Sequence, residues 1–196
     1  MTQSTRRQGR LSATDWADIA LVAIGEGGLA AVAIEPLAAR LGATKGSFYW
    51  HFSNREALID AALARWEAVH TEEFIVQLET EPDPAQRLRR LLHAVISLSA
   101  RGRVEMSLLA TADHPQIAPV LRRVTDRRIA YVAKLFEALG FPHLEARRRA
   151  VIAFSVYLGH VQLAHATPNA LPAGGRPEKD YLELIFALLT GGDPHG

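Results

Sequence analysis

Residues Thr44–Phe52, with the sequence TKGSFYWHF, combine four aromatic rings with a histidine, a serine and a lysine. An α-helix turns by about 100° per residue, so side chains four positions apart lie on the same face. Phe48 and Phe52 therefore share one face, and we expect them to enter a hydrophobic core. Lys45 and Tyr49 share a flank, while a glycine and a tryptophan lie opposite the phenylalanines. The pattern predicts a helix with an apolar inner face and a polar, aromatic outer face.

The outer face of this segment carries side chains suited to double-stranded DNA. A lysine can bond guanine O6 and N7, and a serine hydroxyl can bond several base edges. Tyrosine and histidine can donate to phosphate oxygens, and glycine permits close backbone approach near a helix N-terminus, which favours phosphate. The predicted DNA contacts are Thr44, Lys45, Gly46, Ser47, Tyr49, Trp50, His51, Arg55, and Arg7 and Arg10 of the N-terminal arm.

A structural interpretation of the same residues is also open: Tyr49 and Trp50 would cover the long helix that follows, and the lysine would merely be solvated. The surrounding elements favour DNA contact. Ile34–Leu41 has the length of a short helix, Gly42 closes it, and Thr44 can cap the next helix. A short helix, a glycine turn and a second short helix form a helix-turn-helix, whose second helix enters the major groove.

Capping patterns mark the starts of two helices. Ser12 and Asp15 form a capping-box pattern before the apolar spacing of the first helix. Ser53 and Glu56 form a second capping box, which predicts the start of a long helix that runs toward Glu79.

The lengths of the predicted helices divide the chain into two parts. Helical spacing dominates throughout, which predicts an all-α chain of about nine helices. The helices are short before residue 53 and long after it. We therefore predict a three-helix DNA-binding module with its arm at residues 1–53, on a larger helical bundle for effector binding and dimerisation at residues 54–196.

The stretch Ile34–Asp60, IEPLAARLGATKGSFYWHFSNREALID, resembles the helix-turn-helix of the TetR family of transcriptional regulators. The motifs that carry the resemblance are L-A-x-R-L-G, T-K-G-S-F-Y-W-H-F and N-R-E-A-L. The resemblance implies a homodimeric repressor that binds a palindromic operator and is released by a small molecule bound in the helical body. Ala33 departs from the family pattern, which commonly has Thr or Ser there, and this forfeits a helix cap worth about 1 kcal/mol.

Two helices of the body predict self-association. Glu178–Leu189 is apolar around most of its circumference, and Ala150–Ala166 has no formal charge. The second segment is too short for a membrane helix, and we expect it to be buried on most sides within protein. Because a helix that is apolar all round must be covered all round, we expect both helices to pair with their copies in a four-helix dimer interface.

A cavity for a small effector would be lined by aromatic and soft residues on the inner helix faces. The candidates are Trp66, His70, Met106, Tyr131, Phe154 and Tyr157. Few fixed charges occur among them, which predicts a mostly hydrophobic effector. Each of these residues could instead simply fill the core. Two other functions stay open: a constitutive DNA-binding regulator without an effector, and a helical enzyme that uses the body cavity.

The composition and the remaining short motifs exclude several other kinds of functional site. The chain has no cysteine, which excludes disulfides, thiolate metal sites and cysteine nucleophiles. The net charge is only +1, so a nucleic-acid site must be local. Gly25–Ala30 fits G-x-G-x-x-A but lacks the following βαβ pattern, and Glu67-x-x-His70 lacks the second copy that a di-iron site needs. We predict no catalysis, metal or cofactor, and a cytoplasmic protein without a signal peptide or membrane span.

Overall fold

The computed structural model describes residues 11–97, 102–172 and 174–191, and within these ranges the chain is helical without a β-strand. The helices are α1 (Ala13–Gly27), α2 (Ile34–Leu41), α3 (Lys45–Tyr49), α4 (Arg55–Glu67), α5 (Phe74–Glu79), α6 (Pro84–Ser97), α7 (Arg103–Ala110), α8 (Ile117–Ala138), α9 (His143–Ala166) and α10 (Gly175–Thr190). A π-helical stretch, Ala68–Glu73, joins α4 to α5. With these two counted as one continuous helix, the described ranges contain nine helices, as predicted. The predicted all-α fold is confirmed.

The chain divides into two compact units. The first ends at Trp66 and the second begins at Glu67, so the division falls inside α4. Leu58 and Leu63 of α4 are buried and belong to the first unit. The predicted domain boundary at residue 53 lies in the loop before α4 and stays a prediction.

The core of the N-terminal unit contains large side chains from each of its helices. Trp16 of α1, Leu37 of α2 and Phe48 of α3 are buried almost completely. The rings of Trp16 and Phe48 meet edge to face, with centroids 5.4 Å apart, a favourable arrangement for aromatic pairs. These contacts hold the inner face of α3 against the core of the unit.

The helix starts of this unit follow the predicted capping patterns with one correction. Ser12 and Asp15 form the full capping box at α1. At α4, however, the residue that caps is Asn54, whose Oδ1 accepts a hydrogen bond from the Ala57 N–H at 2.8 Å. The prediction that Ser53 caps this helix is therefore wrong by one residue. Serine and asparagine are both good N-caps, so the type of residue alone does not show which of two neighbours lies at the cap position.

The C-terminal unit has its own hydrophobic core. Helix α6 contributes Leu88, Leu92 and Ile96, which recur at helical spacing. These side chains join a cluster with residues of α5, α8, α9 and α10, including Tyr131 and Phe136 of α8. The apolar stripe of α6 therefore faces this core, as the amphipathic spacing of a helix requires.

The long helix after the DNA-binding segment changes its hydrogen-bond pattern partway along. Sequence spacing predicted a continuous helix to Glu79, but residues Ala68–Glu73 are π-helical. A π-turn shifts the register of backbone hydrogen bonds and is rare in helices. Thr71, in the middle of this stretch, is buried.

Helix α9 is more exposed in the single chain than predicted. Val151, Ile152 and Leu163 are exposed, so the segment Ala150–Ala166 is not buried on most sides within one chain. Leu184 and Leu188 of α10 are exposed as well. No helix in the described ranges combines the length and the hydropathy needed to cross a membrane.

Candidate nucleic-acid interface and effector region

The turn between α2 and α3 is well defined. Gly42 has a φ of 63°, a left-handed conformation that glycine adopts without strain. The Ala43 N–H donates to the carbonyl of Ala38 at 2.8 Å, which ends α2. Thr44 then caps α3, because its Oγ1 accepts a hydrogen bond from the Ser47 N–H at 3.3 Å. The predicted helix-turn-helix is confirmed.

The segment around α3 has the two faces that its spacing predicted. Phe48 and Phe52 are buried, and their rings stack with centroids 5.7 Å apart. On the outer side, Tyr49 is 53% exposed and Trp50 is 79% exposed. This exposure does not support the alternative in which the two rings cover the following helix. It leaves large aromatic surfaces available to a binding partner.

The polar members of the predicted contact set also lie on the outer side. Thr44, Lys45 and Gly46 are exposed at the start of α3, whereas Ser47 and His51 are half-buried. The first turn of α3 thus presents a hydroxyl, an ammonium and a side-chain-free backbone position together. Their roles in DNA binding stay predictions.

Lys45 has a partner that sequence reasoning missed. Its Nζ lies 2.8 Å from Oε1 of Glu35 in the first turn of α2. The hydrogen bond and the positive charge of Lys45 lower the pKa of Glu35, and the same contact raises the pKa of Lys45. The sequence could have indicated this contact, because both residues occupy the first turns of the two helices of the motif.

Arg55 has a structural role in addition to its predicted one. Its Nε donates to the carbonyl of Val32 at 2.8 Å, and its Nη2 donates to the carbonyl of Leu29. These carbonyls belong to the turn between α1 and α2, so the guanidinium ties α4 to that turn. Phosphate contact by Arg55 stays a prediction. The other two predicted arginines, Arg7 and Arg10, lie outside the described residues.

The predicted effector-lining residues differ in how far they are buried. Trp66 and Tyr131 are buried, and His70 is exposed. The remaining three, Met106, Phe154 and Tyr157, are half-buried. Within the C-terminal unit, Phe154 and Tyr157 come together, with ring centroids 5.9 Å apart. Effector contact stays a prediction for all six.

A buried polar cluster surrounds Tyr157. Arg128 donates from Nη1 to Glu105 at 2.8 Å and from Nε to Thr71 Oγ1 at 3.0 Å. The Tyr157 hydroxyl donates to the same carboxylate at 2.7 Å. Arg128 also reaches the carbonyl of His70 at 3.3 Å, inside the π-helical stretch. The cluster therefore connects that stretch to α7, α8 and α9.

This cluster is largely shielded from solvent and contains charged groups. Burial raises the pKa of Tyr157, and the neighbouring negative charge of Glu105 raises it further. Glu105, Arg128 and Thr71 were missed because helical spacing does not indicate which charged residues of different helices meet. Few fixed charges occur among the six predicted lining residues, but an arginine and a glutamate outside that set lie directly beside Tyr157.

Other arginines of the body form surface ion pairs. Arg123 donates to Glu67 and Arg127 donates to Glu72, as expected for solvated faces of long helices. In the described ranges, no group of three or more His, Asp or Glu side chains could hold a metal ion.

Comparison with known proteins supports the predicted family. The family "Bacterial regulatory proteins, tetR family" matches residues 18–62. No curated protein matches the chain. Among solved structures, a transcriptional regulator from Rhodococcus sp. RHA1 has 22% identity and a TM-score of 0.69, with 92% of this chain and 95% of that chain covered.

Two further structures have the same fold. A TetR-family transcriptional regulator from Agrobacterium tumefaciens has 19% identity and a TM-score of 0.68, with 91% and 93% coverage. AibR in complex with isovaleryl coenzyme A and operator DNA has 19% identity and a TM-score of 0.64, with 92% and 99% coverage. The resemblance is thus confirmed: residues 18–62 match the model of the tetR family, and the fold of the chain is similar to that of these solved regulators.

Proposed function

We propose that this protein is a repressor that binds a palindromic operator as a homodimer and is released by a small, mostly hydrophobic effector. One observation supports the DNA-binding part of this proposal. Helix α3 is anchored by the buried Phe48, while Lys45 and Tyr49 of the helix and Trp50 directly after it are exposed. A rigid helix with donors and aromatic rings on its outer face suits the major groove.

DNA binding is tested by a gel-shift titration with duplexes from the region beside the protein's own gene. We expect a specific complex that Lys45→Ala weakens and that Lys134→Ala leaves unchanged. Lys134 is a matched control, because it is an exposed lysine on α8. The absence of a specific complex with the wild-type protein would refute an operator beside the gene. Raised transcription from that promoter after deletion of the gene would support repression, and lowered transcription would contradict it.

The exposed apolar side chains of α9 and α10 support the homodimer. Leu188 is 67% exposed, and Ile152 and Leu184 are also exposed in the single chain. Ile152, Val156, Ile185 and Leu188 line a common groove between the two helices. An apolar patch of this kind is costly in water and marks an interaction site. A second copy related by two-fold symmetry would cover it and match a palindromic operator.

Dimerisation is tested by sedimentation velocity at micromolar concentration. We expect a dimer for the wild-type protein and a monomer for Leu188→Asp, because a buried unpaired carboxylate opposes association. Val76→Asp is the matched control, since Val76 is another exposed apolar residue outside α9 and α10. A wild-type monomer, or equal effects of both substitutions, would contradict the proposed interface.

The region around Tyr157 supports effector binding. Aromatic walls from Phe154 and Tyr157 lie beside the hydrogen-bonded pair Arg128 and Glu105. Small-molecule sites combine apolar walls with a few placed polar groups. A mostly hydrophobic effector with one polar group would fit this combination. AibR offers a precedent in the same fold, because its structure contains both an acyl coenzyme A and operator DNA.

A thermal-shift screen of small molecules separates effector control from constitutive binding. A ligand that binds the folded protein raises its melting temperature. We expect some ligands to stabilise the wild-type protein and to dissociate it from DNA. Stabilisation without loss of DNA binding would favour a constitutive regulator. Turnover of such a ligand by the wild-type protein would favour the alternative of a helical enzyme.

A further inference from the structure

The ion pair between Lys45 and Glu35 places a hydrogen-bond donor beside an acceptor on the DNA-binding motif. The Nζ–Oε1 distance is 2.8 Å, and the side chains are 54% and 73% exposed. Lys45 begins α3 and Glu35 lies in the first turn of α2. The pair thus joins the first turns of both helices of the helix-turn-helix, and both groups are accessible to a ligand in solution.

Base edges in the major groove differ in their pattern of donors and acceptors. Guanine presents two acceptors, O6 and N7, and its partner cytosine presents the N4 amino group as a donor. A lysine ammonium is donor-only, and an ionised carboxylate is acceptor-only. A lysine and a glutamate held side by side are therefore complementary to the two halves of one G·C pair.

We propose that Lys45 and Glu35 together read one G·C base pair in each half-site. Lys45 donates to guanine O6 and N7, and Glu35 accepts from cytosine N4. This inference rests on the proposed DNA-binding function and adds Glu35 as a specificity-determining residue. Because a carboxylate in the groove is repelled by phosphates, it also lowers affinity for DNA that lacks the matching cytosine.

An A·T pair fits this arrangement less well. Thymine presents the O4 acceptor and a methyl group where cytosine presents its amino group. The carboxylate of Glu35 would then face an acceptor and lose its partner. Adenine also offers lysine one acceptor, N7, where guanine offers two. The preference for G·C therefore depends on both side chains rather than on Lys45 alone.

Glu35 has a simpler structural role that must be separated from base reading. Helix α2 has no side-chain cap at Ala33, and a carboxylate in the first turn stabilises the N-terminus of a helix. A purely structural Glu35 would affect the melting temperature and leave base preference unchanged. The matched control is Glu26, which pairs with Arg40 at 2.7 Å, is also partly exposed and lies in the same unit.

The test is selection from a pool of randomised duplexes by the wild-type protein, Glu35→Gln and Glu26→Gln. We expect the wild-type protein to enrich a symmetric sequence with a G·C pair at one position of each half-site. Glu35→Gln should reduce the preference at that position by roughly 10- to 100-fold and shift it toward A·T, because glutamine pairs with adenine N6 and N7. Glu26→Gln should keep the wild-type preference.

Each outcome decides the proposal. An enriched sequence that Glu35→Gln leaves unchanged, or that Glu26→Gln alters equally, overturns the role of Glu35. Failure of the wild-type protein to enrich any sequence refutes specific DNA binding itself, which is a distinct result. If Glu35→Gln proves unfolded by its melting curve, Glu35→Asp replaces it. The shorter side chain keeps the charge at the helix start but retracts the acceptor, and we expect the same loss of G·C preference.

Discussion

Each of the two units contains an ion pair between a basic side chain and a glutamate, but one pair is exposed and the other is buried. In the N-terminal unit, Lys45 and Glu35 are 2.8 Å apart with side chains 54% and 73% exposed. In the C-terminal unit, Arg128 and Glu105 are also 2.8 Å apart, but their side chains are only 14% and 7% exposed. Identical distances therefore conceal a large difference in the cost of separating the charges.

That difference in cost matches what each region has to do. An exposed pair is screened by water and contributes little to folding. Each of its two side chains can therefore leave the other and bind a new partner. A buried pair cannot be broken cheaply, because either charge alone would be left without solvation. The first arrangement suits a surface that binds a polar ligand, and the second suits a fixed connection between helices.

Removal of Arg128 should have the largest effect on stability. Arg128→Met leaves Glu105 buried without its charge partner, and we expect a loss of about 3–5 kcal/mol in the free energy of unfolding. Arg127→Met is the control, because Arg127 pairs with the more exposed Glu72, and we expect it to cost about 1 kcal/mol or less. Urea denaturation at neutral pH measures both. Equal losses would show that the Arg128 pair is not protected from solvent.

The double variant Arg128→Met with Glu105→Gln sharpens this comparison. It removes both charges, so the penalty of an uncompensated carboxylate disappears. We expect it to be more stable than Arg128→Met alone, again by urea denaturation. A further loss of stability would show that Glu105 contributes through other contacts than the ion pair.

Tyr157→Phe should have the next largest effect. It removes the hydrogen bond to the Glu105 carboxylate, and a hydrogen bond to a charged group contributes about 1.5–3 kcal/mol. Tyr49→Phe, which removes an exposed hydroxyl, is the control and should leave stability unchanged. Comparable urea midpoints for Tyr157→Phe and the wild-type protein would contradict the hydrogen bond.

The pH dependence of stability tests the same hydroxyl. Because the folded-state pKa of Tyr157 is raised above the ordinary value of 10.0, its stabilising contribution is present below that pH and is lost as the pH rises toward the folded pKa. We therefore expect the urea midpoint of the wild-type protein to fall in alkaline solution more than that of Tyr157→Phe. Parallel pH profiles of the two proteins would contradict this.

On the exposed side of the comparison, Lys45→Ala should change binding and leave folding intact. We expect specific DNA binding to weaken by roughly 10- to 100-fold and base preference to relax, because a base contact is lost. Fluorescence anisotropy with operator and mutated duplexes measures the affinity and the preference, and urea denaturation checks the fold. Normal operator affinity in this variant would refute base reading by Lys45.

The smallest effects are expected for the flanking polar residues. Tyr49→Phe and His51→Ala each remove a predicted phosphate contact, so affinity should fall several-fold for all sequences alike. The salt dependence of binding, which measures the number of phosphate contacts, is recorded for both variants. A change in base preference in either variant would assign it to base reading instead.

Much of the DNA-binding motif could be predicted from the sequence because its determinants are local. Phe48 and Phe52 are four residues apart, so their common inner face follows from helix geometry alone. The turn at Gly42 and the cap at Thr44 depend on single residues with strong conformational preferences. The choice of Asn54 over Ser53 as the cap of α4 was not predictable in this way, since both residues are competent.

The ion pairs and the buried cluster were decided by tertiary structure. Lys45 and Glu35 are 10 residues apart, Arg128 and Glu105 are 23 apart, and Tyr157 and Glu105 are 52 apart. The periodicity of a helix shows which face is apolar, but not which polar side chain on another helix it will meet. The π-helical stretch at Ala68–Glu73 is of the same kind, since nothing in its local spacing distinguishes it from α-helix.

The sequence by itself determined that this protein is all-α, that it carries a helix-turn-helix and which residues lie on the outer face of α3. These features depend on contacts within a few residues, which helical spacing, capping and glycine encode directly. Only the tertiary structure decided that Lys45 has Glu35 as its neighbour and that Arg128 is buried against Glu105. The environment of a charged side chain depends on packing between distant segments, and the stability of an ion pair depends on that environment.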